Sequence, residues 1–493
     1  MPAVTESKPE SGHRRRLRPV RTASGEVRED TEPFGRRHWW WVGATWLVVV
    51  VLAAVAAMQW RYDWIDALPH STVTRAAIDI PTQPAAQPVA VPASAAPVDA
   101  AAVARALRPY LQTRNGLGAH VDVLVTGLTG SQAFLRGAGP ITPASTLKLL
   151  TATAALQTLG PNARFATSVR LTGPSTITLV GGGDPYLATK ASPKAGYPKR
   201  ATLTDLARAT ADYLKAHGLT RVRLDYDASL FSGPGLSPSW EPGYFTGNVI
   251  APITALWTNE GHLPNGDVTA NPAGNAAQVF AELLHAKGIG IVGSPASVLA
   301  RPTSPLVAHV TSAPLVDVLS EVLTESDNFA AEVIARHVAI ATGHPATFDG
   351  AVAGIEQTLK SLAVPVAGLL MHDGSGLSRH DRLEPATLAA VLRLATVRPK
   401  LSGLLMDLPV AGFDGSLLNR FDKTSATALG LVRAKTGTLT GVHAMAGFAV
   451  DSNGTPLIFV ALADQVVPIE TLEARDLLDH IGAALATCHC SIR

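Results

Sequence analysis

Strand-like segments occur at both ends of the part of the chain that is typical of a folded domain, and helix-like segments lie between them. Alternating apolar residues predict strands at 120–128, 131–139, 431–439, 443–451 and 456–464. Apolar spacing predicts helices at 100–111, 145–160 and 469–486. Pairing of the strands from both ends would form one sheet that the helices cover. The sequence therefore predicts an α+β fold, an antiparallel sheet with helices on both faces.

Residues 166–250 differ from this pattern, because they are richer in glycine, proline and short strand-like runs such as TITLVGGGDPYL and RVRLDYDASLF. We interpret them as a β-rich domain inserted into the main domain. The main domain would then comprise residues 98–165 and 251–493.

The N-terminal region carries an uncharged apolar run at residues 39–58. Twenty helical residues span about 30 Å, the thickness of a hydrocarbon core. We therefore predict a transmembrane helix at 39–60 after a basic cytoplasmic leader at 1–38, with everything beyond it outside the membrane. The Pro- and Ala-rich residues 61–97 would be an extended linker. A cleaved signal peptide and a buried core helix remain alternatives to the membrane span.

The composition excludes several classes of partner and of structural site. The chain has 493 residues and a formal net charge of +2, and it lacks a block of interleaved basic and aromatic residues, so no nucleic-acid partner is predicted. Its two cysteines, Cys488 and Cys490, exclude a disulfide framework or a cysteine-rich zinc site. A disulfide between them and two free thiols both stay open. No metal and no cofactor is predicted.

The segment PASTLKLL holds the one Ser-x-x-Lys sequence in the chain, Ser145 to Lys148. Positions i and i+3 share a helix face, so the lysine amine can reach the serine hydroxyl. A serine hydroxyl needs a base to become a nucleophile, and a neutral lysine can serve if burial and a nearby cation lower its pKa. The alternative is an N-cap serine followed by an exposed lysine.

Two further motifs carry chemistry. Ser326 and Asn328 precede a clear helix, and alternate residues of an extended segment can face one cleft, where a hydroxyl shuttles a proton and a carboxamide binds a carbonyl or an amine. Lys435-Thr-Gly-Thr438 lies in a predicted strand, where a glycine marks close approach by a ligand and the edge can pair with an extended peptide. Helix capping and an ordinary exposed strand lysine are the respective alternatives.

Together these motifs resemble the penicillin-recognising serine acyltransferases. The segments LVGGGDPYL, LDYDASLF, APITAL, SDNFAAEVI and DGSGLSR narrow the resemblance to the D-alanyl-D-alanine carboxypeptidase/endopeptidase family, the class C low-molecular-mass penicillin-binding proteins. The resemblance covers residues 98–493 and implies a core like that of the serine β-lactamases, with an insertion between the first two motifs.

The resemblance implies a role for each motif. Ser145 would be the acylated nucleophile and Lys148 its base. Ser326 and Asn328 would assist proton transfer and substrate positioning. The residues of the third motif would bind the terminal carboxylate of the substrate, and the backbone N–H groups of Ser145 and Thr438 would form the oxyanion hole. These substrate-binding residues are Lys435, Thr436, Gly437 and Thr438, and Lys435 would also be catalytic, because its charge would aid the Lys148 base.

The resemblance also implies a pocket for the charged side chain of diaminopimelate, lined by Asp227 and Arg379. A carboxylate and a guanidinium complement an ammonium and a carboxylate, respectively. The alternatives are a turn cap for Asp227 and a structural salt bridge for Arg379.

The sequence therefore predicts a serine-type D-alanyl-D-alanine carboxypeptidase, with or without endopeptidase activity, that acts on peptidoglycan stem peptides outside the membrane. β-Lactams would be covalent inhibitors that enter the same acylation path. A β-lactamase, which would need a fast deacylation base, and a non-catalytic muropeptide-binding protein are the alternatives.

Overall fold

The computed structural model describes residues 96–112, 116–137, 139–192, 196–421 and 425–492. The predicted leader, the predicted transmembrane helix and all but the last two residues of the predicted linker lie outside these ranges. Among the helices within them, none combines the length and the apolar character needed to cross a bilayer.

The strands lie near both ends of the described chain and in one central stretch, and most of the helices lie between them. The strands are β1 (Val121–Gly127), β2 (Gln132–Arg136), β3 (Ala166–Gly173), β4 (Thr176–Val180), β5 (Arg221–Asp227), β6 (Gly290–Ile291), β7 (Leu306–Thr311), β8 (Val432–Leu439), β9 (Val442–Val450) and β10 (Pro456–Ala463). The longer helices are α1 (Ala100–Leu107), α2 (Lys148–Leu159), α3 (Leu203–Ala216), α4 (Pro272–Ala286), α5 (Leu315–Thr324), α6 (Asn328–Ala341), α7 (Phe348–Ser361), α8 (Pro385–Val397) and α9 (Thr471–Thr487).

The first sheet joins both ends of the described chain in the strand order β2-β1-β10-β9-β8, and every neighbouring pair is antiparallel. Val121 of β1 pairs with Ala463 of β10, and Lys435 of β8 pairs with Ala446 of β9. The five strands predicted at the two ends of the domain are thus confirmed, and so is their assembly into one antiparallel sheet. Strand β8, which carries the third motif, lies at one edge.

Each face of this sheet contributes to its own hydrophobic core. Val121, Val123 and Val125 face a core that α1 and α9 complete, whereas Leu124 faces a larger core built with α2, α5, α6 and α8. Successive side chains of a strand point to opposite faces, and because both faces are covered, every residue of β1 is buried, including the polar Asp122 and Thr126. Helices therefore cover both faces of the sheet, as predicted.

The second sheet has the strand order β6-β5-β4-β3-β7 and is mixed, because β4–β5 and β5–β6 are parallel pairs. Its apolar face packs against α3 and α4. Two of its strands, β6 and β7, follow residue 250, so the predicted end of the insertion is too early. The inserted region is also less purely β than predicted. Parallel strands need a crossover connection, and α3 provides it between β4 and β5 and α4 between β5 and β6.

The last described residues pair with the first ones. Val98 forms a β-bridge with Ser491, and the Asp99 N–H donates to the Cys490 carbonyl at 2.7 Å. A disulfide joins Cys488 to Cys490, which decides between the two alternatives left by the sequence.

Candidate active site

Ser145 lies in a 3₁₀ turn, Ala144–Leu147, directly before helix α2 begins at Lys148. Ala144 adopts φ +47°, a left-handed conformation that costs a non-glycine residue about 1–3 kcal/mol. The turn is held by the Thr146 hydroxyl, which donates to the Pro143 carbonyl at 2.7 Å. Ser145 makes no capping hydrogen bond, so the N-cap alternative for this residue is wrong.

Lys148 is fully buried and its ammonium donates to three acceptors. These are Ser145 Oγ at 2.9 Å, Asn328 Oδ1 at 2.6 Å and the Ser375 carbonyl at 2.7 Å. An exposed helical lysine is therefore excluded. The structure brings together the first motif and the asparagine of the second, although 180 positions separate Lys148 from Asn328.

A second buried lysine shares this environment. Lys435 on β8 is fully buried, and its ammonium donates to the Thr436 carbonyl at 2.9 Å. Burial, and then the positive charge of Lys148, lower the pKa of Lys435 well below its usual value. Burial also lowers the pKa of Lys148 to about 8, against the opposing effect of the carboxylates of Asp373, Asp327 and Glu332. A neutral Lys148 is thus accessible near physiological pH.

This pKa predicts a pH dependence for the acylation of Ser145. Lys148 can accept the serine proton only when it is neutral, and its neutral fraction falls tenfold per pH unit below its pKa of about 8. We expect the acylation rate with a fluorescent penicillin to rise about tenfold per pH unit up to about pH 8 and then to level off. A rate that stays constant between about pH 6 and about pH 9 would contradict the role of Lys148.

The Ser-Asp-Asn motif begins helix α6. Asp327 is its N-cap and accepts from the Ala330 N–H at 3.2 Å, so capping accounts for the middle residue of the motif. Asn328 is the first helical residue and directs its carboxamide oxygen to Lys148. Ser326 adopts φ +63°, which is rare for serine and lets the chain turn sharply into the helix. The proton-shuttle role of Ser326 remains a prediction.

The third motif lies on β8 beside the Ser145 turn. A Cβ built on Gly437 would lie 2.8 Å from the Pro143 carbonyl and 3.0 Å from the Ser145 nitrogen. A close approach at this glycine is thus found, but it is the backbone of the turn that carries Ser145, and not a ligand, that approaches Gly437. Thr436 is buried and donates to Ser416 Oγ at 2.8 Å, whereas Thr438 is exposed at the edge of the sheet.

Replacing Gly437 with alanine should displace the Ser145 turn, because the new methyl group has no space beside Pro143 and Ser145. A displacement of about 1 Å at a reacting group can lower a rate by about 10²-fold, and we expect a loss of that order in penicillin acylation. Gly290→Ala, on β6, is the matched control, because its Cβ would make only ordinary contacts. Equal acylation by both variants would show that the close approach has no effect.

Arg379 contacts two other segments. Its guanidinium donates to the Thr440 carbonyl at 2.8 Å, in the turn that follows β8, and lies 3.9 Å from a carboxylate oxygen of Glu241. Both side chains are partly exposed. The indole N–H of the preceding Trp240 donates to Asp373 at 2.7 Å, which fixes this segment against the loop that carries Arg379.

Asp227 lies elsewhere, at the end of β5 in the second sheet. It is buried, and its two carboxylate oxygens accept from the N–H groups of Ser229 and Ala300, each at 2.8 Å. The pocket that Asp227 and Arg379 were predicted to line together stays a prediction: the carboxylate beside Arg379 belongs to Glu241, and backbone N–H groups occupy both oxygens of Asp227, as its turn-cap alternative requires. Local sequence could not distinguish these two acidic residues, because each follows an aromatic side chain.

Sequence reasoning also missed the groups that surround Lys148. The Ser375 carbonyl is a direct partner, and Asp373 and Glu332 are buried carboxyl groups near it. The motif DGSGLSR was noted for its arginine alone, although an Asp followed by alternating Gly and Ser is typical of a tight loop closed on a carboxylate. Within the described ranges, no three His, Cys, Asp or Glu side chains are grouped so that they could hold a metal ion.

Comparison with known proteins identifies the family. The model of the D-Ala-D-Ala carboxypeptidase 3 (S13) family matches residues 103–266 and 267–486. The chain is 34% identical to carboxypeptidase DacB of Mycolicibacterium smegmatis, over 90% of this chain and 95% of that protein. It is 28% identical to the D-alanyl-D-alanine carboxypeptidase of Actinomadura sp., over 67% and 75% of the two chains.

A solved structure shares the fold. Penicillin-binding protein 4 from Haemophilus influenzae superposes with a TM-score of 0.65 at 22% identity, over 78% of this chain and 98% of that one. The chain therefore belongs to the D-Ala-D-Ala carboxypeptidase 3 (S13) family and is a D-alanyl-D-alanine carboxypeptidase.

Proposed function

We propose that this carboxypeptidase cleaves the terminal D-alanine from peptidoglycan stem peptides through an acyl-enzyme on Ser145. Neutral Lys148 takes the hydroxyl proton, and Ser145 Oγ attacks the carbonyl carbon of the D-alanyl-D-alanine bond. The C–N bond breaks, the amine leaves with a proton delivered through Ser326, and water then hydrolyses the ester. The observation that carries this proposal is the buried Lys148, hydrogen-bonded to both Ser145 and Asn328.

The third motif, on β8, would supply groups that bind the oxyanion and the substrate carboxylate. The oxyanion of the tetrahedral intermediate would be bound by the N–H groups of Ser145 and Thr438, each such donor being worth roughly 2.7–4 kcal/mol where one has been removed. The close approach of Gly437 to the Ser145 nitrogen supports this placement. Lys435 and the Thr436 and Thr438 hydroxyls would receive the terminal carboxylate of the substrate, and the negative charge of that carboxylate would favour the protonated lysine.

The charged side chain of the stem peptide would bind between Arg379 and Glu241. These groups are partly exposed and are 3.9 Å apart, so they can separate to receive a carboxylate and an ammonium without leaving a buried charge unpaired. A pentapeptide with diaminopimelate at its third position should therefore be cleaved faster than one with an uncharged residue there. Equal rates would contradict this subsite.

β-Lactams are proposed to acylate the same serine. The structure of the Haemophilus influenzae protein has also been solved in complex with a β-lactam, and that structure superposes on this chain with a TM-score of 0.60 at 23% identity. An adduct on Ser145 would be hydrolysed slowly if the site lacks a fast deacylation base, which distinguishes a carboxypeptidase from a β-lactamase.

The enzyme is further proposed to act outside the cytoplasmic membrane, held by the apolar run at 39–60 and reaching its substrate through the linker at 61–97. This proposal rests on the uncharged run and on the basic residues that precede it. Fractionation of cells that express the full chain would test it. Recovery with the membranes supports an anchor, and a shortened, freely released protein would instead indicate signal cleavage.

A single experiment tests the proposed reaction. The full chain is incubated with a defined pentapeptide, with a cross-linked muropeptide and with a chromogenic cephalosporin, and the peptide products are identified by mass. Loss of one alanine from the pentapeptide is the expected result, and cleavage of the cross-link would add endopeptidase activity. Rapid turnover of the cephalosporin without peptide cleavage would favour a β-lactamase, and binding without any cleavage would favour a muropeptide-binding protein.

A further inference from the structure

Glu332 is a fully buried carboxyl group on helix α6, one turn after Asn328. Residues four apart lie on the same helix face, so Glu332 and Asn328 face the same side. Asn328 contacts Lys148 directly, and Glu332 does not. A buried carboxylate is costly unless its oxygens are hydrogen-bonded, so its partners indicate what it does.

The partners of Glu332 are two consecutive backbone N–H groups. The Gly374 N–H donates to its two oxygens at 3.0 and 3.1 Å, and the Ser375 N–H donates to Oε1 at 2.8 Å. The carbonyl of the same residue, Ser375, accepts from Lys148 Nζ at 2.7 Å. Ser375 thus links the two side chains: its N–H group donates to Glu332, and its carbonyl accepts from Lys148.

The loop around Ser375 has little freedom to supply this carbonyl in another position. The Asp373 carboxylate accepts from the N–H groups of Gly376 and Ser378, each at 2.7 Å, and from Ser375 at 3.2 Å. Thr151 of α2 donates to the Gly374 carbonyl at 2.6 Å. A Cβ on Gly374 would lie 2.5 Å from the Ala335 methyl group, so only glycine allows α6 to lie this close.

We propose that Glu332 is the positioning residue for Lys148: it holds the backbone of Gly374 and Ser375 so that the Ser375 carbonyl orients the lysine amine toward Ser145. This inference rests on the proposed role of Lys148 as the base. Within the described ranges Glu332 hydrogen-bonds to neither Ser145 nor Lys148, so it acts through the loop at Gly374 and Ser375.

The charges around this pair are mutually dependent. Burial, and then the charge of Asp373, raise the pKa of Glu332 to about 8, while its hydrogen bonds and Arg336 oppose that rise. The Glu332 carboxylate in turn raises the pKa of Lys148. The charged groups that act on Glu332 or Lys148 are Asp327, Arg336, Asp373, Asp381 and Lys435. Glu332 is therefore mainly protonated below about pH 8, where it acts by holding the loop and not by its charge.

The test compares Glu332→Gln with wild type in the full chain by the rate of penicillin acylation across pH. Glutamine keeps one oxygen for the Ser375 N–H but loses the charge and the second acceptor. We expect the plateau rate to fall by about 10²-fold, with little change in the initial binding of penicillin. The acid limb, which follows the pKa of Lys148, should stay in place, because Glu332 is already mainly uncharged at those pH values.

Two variants separate this role from a general loss of stability. Asp479→Asn, on α9, is the matched control, because Asp479 is a buried carboxylate that pairs with Arg420 at 2.7 Å on the opposite side of the sheet. It should lower Tm and leave the pH profile unchanged. Glu332→Asp keeps the carboxyl group but shortens its reach to the Gly374 and Ser375 N–H groups, so its plateau rate should also fall, and it decides the question if Glu332→Gln does not fold.

The inference is overturned if Glu332→Gln acylates at the wild-type plateau rate, or if both Glu332 variants lose activity only in proportion to their loss of Tm. A wild-type chain that is not labelled at Ser145 would instead refute the proposed function, and this inference with it. Wild-type labelling together with unaltered Glu332 variants would refute the inference alone.

Discussion

Replacement of Ser145 with alanine should abolish covalent labelling by a fluorescent penicillin and reduce the release of D-alanine by roughly 10⁶-fold, the scale of loss when a serine hydrolase loses its nucleophile. Lys148 Nζ donates a hydrogen bond to Ser145 Oγ at 2.9 Å. Its other two acceptors within the described ranges are a carboxamide and a backbone carbonyl, not hydroxyl groups. The fold should be unaffected, because the Ser145 side chain makes no capping bond in its turn.

The measurement is gel fluorescence of the labelled chain, with Tm recorded in parallel. Ser131→Ala is the matched control, because Ser131 is exposed in the turn between β1 and β2 and bonds only to Thr129 and nearby backbone. The control should label like wild type. Labelling of Ser145→Ala at the wild-type level would show that another residue is acylated.

Replacement of Lys148 with methionine should lower the acylation rate by roughly 10²–10⁴-fold, the range that a positioned general base contributes. Methionine fills the buried space of the lysine side chain without an amine, so the Ser145 proton has no acceptor. The carbonyl of Ser375 and the carboxamide of Asn328 would each lose a donor, which predicts a lower Tm as well.

Stopped-flow acylation over a range of pH is the decisive measurement, because the residual rate of Lys148→Met should no longer show the limb near pH 8 that the pKa of Lys148 produces. Lys360→Met is the control: Lys360 is an exposed residue of α7 that pairs with Glu356 on the surface. It should acylate like wild type. A Lys148→Met variant that keeps both rate and pH limb would exclude Lys148 as the base.

Much of the fold follows from local patterns in the sequence. The alternating runs near residues 121–136 and 432–463 predict strands because the period of two is strong and turn residues separate them. The end of the insertion is different. Strand β6 has two residues and pairs in parallel with β5 across the whole of α4, so no local pattern indicates that it belongs to the second sheet.

The carboxyl groups of the site show the same limit. Asp227 and Glu241 both follow aromatic residues in glycine- or serine-rich surroundings, and the resemblance to the family suggested Asp227 as the acidic residue of the pocket that Arg379 lines. The structure pairs Arg379 with Glu241, because Trp240 anchors that segment to Asp373. An ion pair depends on the distance between two side chains in the folded protein, which their positions in the sequence do not give.

The sequence by itself determined the chemistry of this protein: a serine and a lysine on one helical turn, and two further motifs in a fixed order, with residue types that suit acyl transfer. Only the tertiary structure decided how strongly each group can act. Burial gives Lys148 a pKa of about 8, and the Ser375 carbonyl that orients it comes from a distant loop, which Glu332 holds from helix α6. The physical reason is that residue type sets which proton a group can hold, whereas desolvation and neighbouring charge set the pH at which it releases that proton.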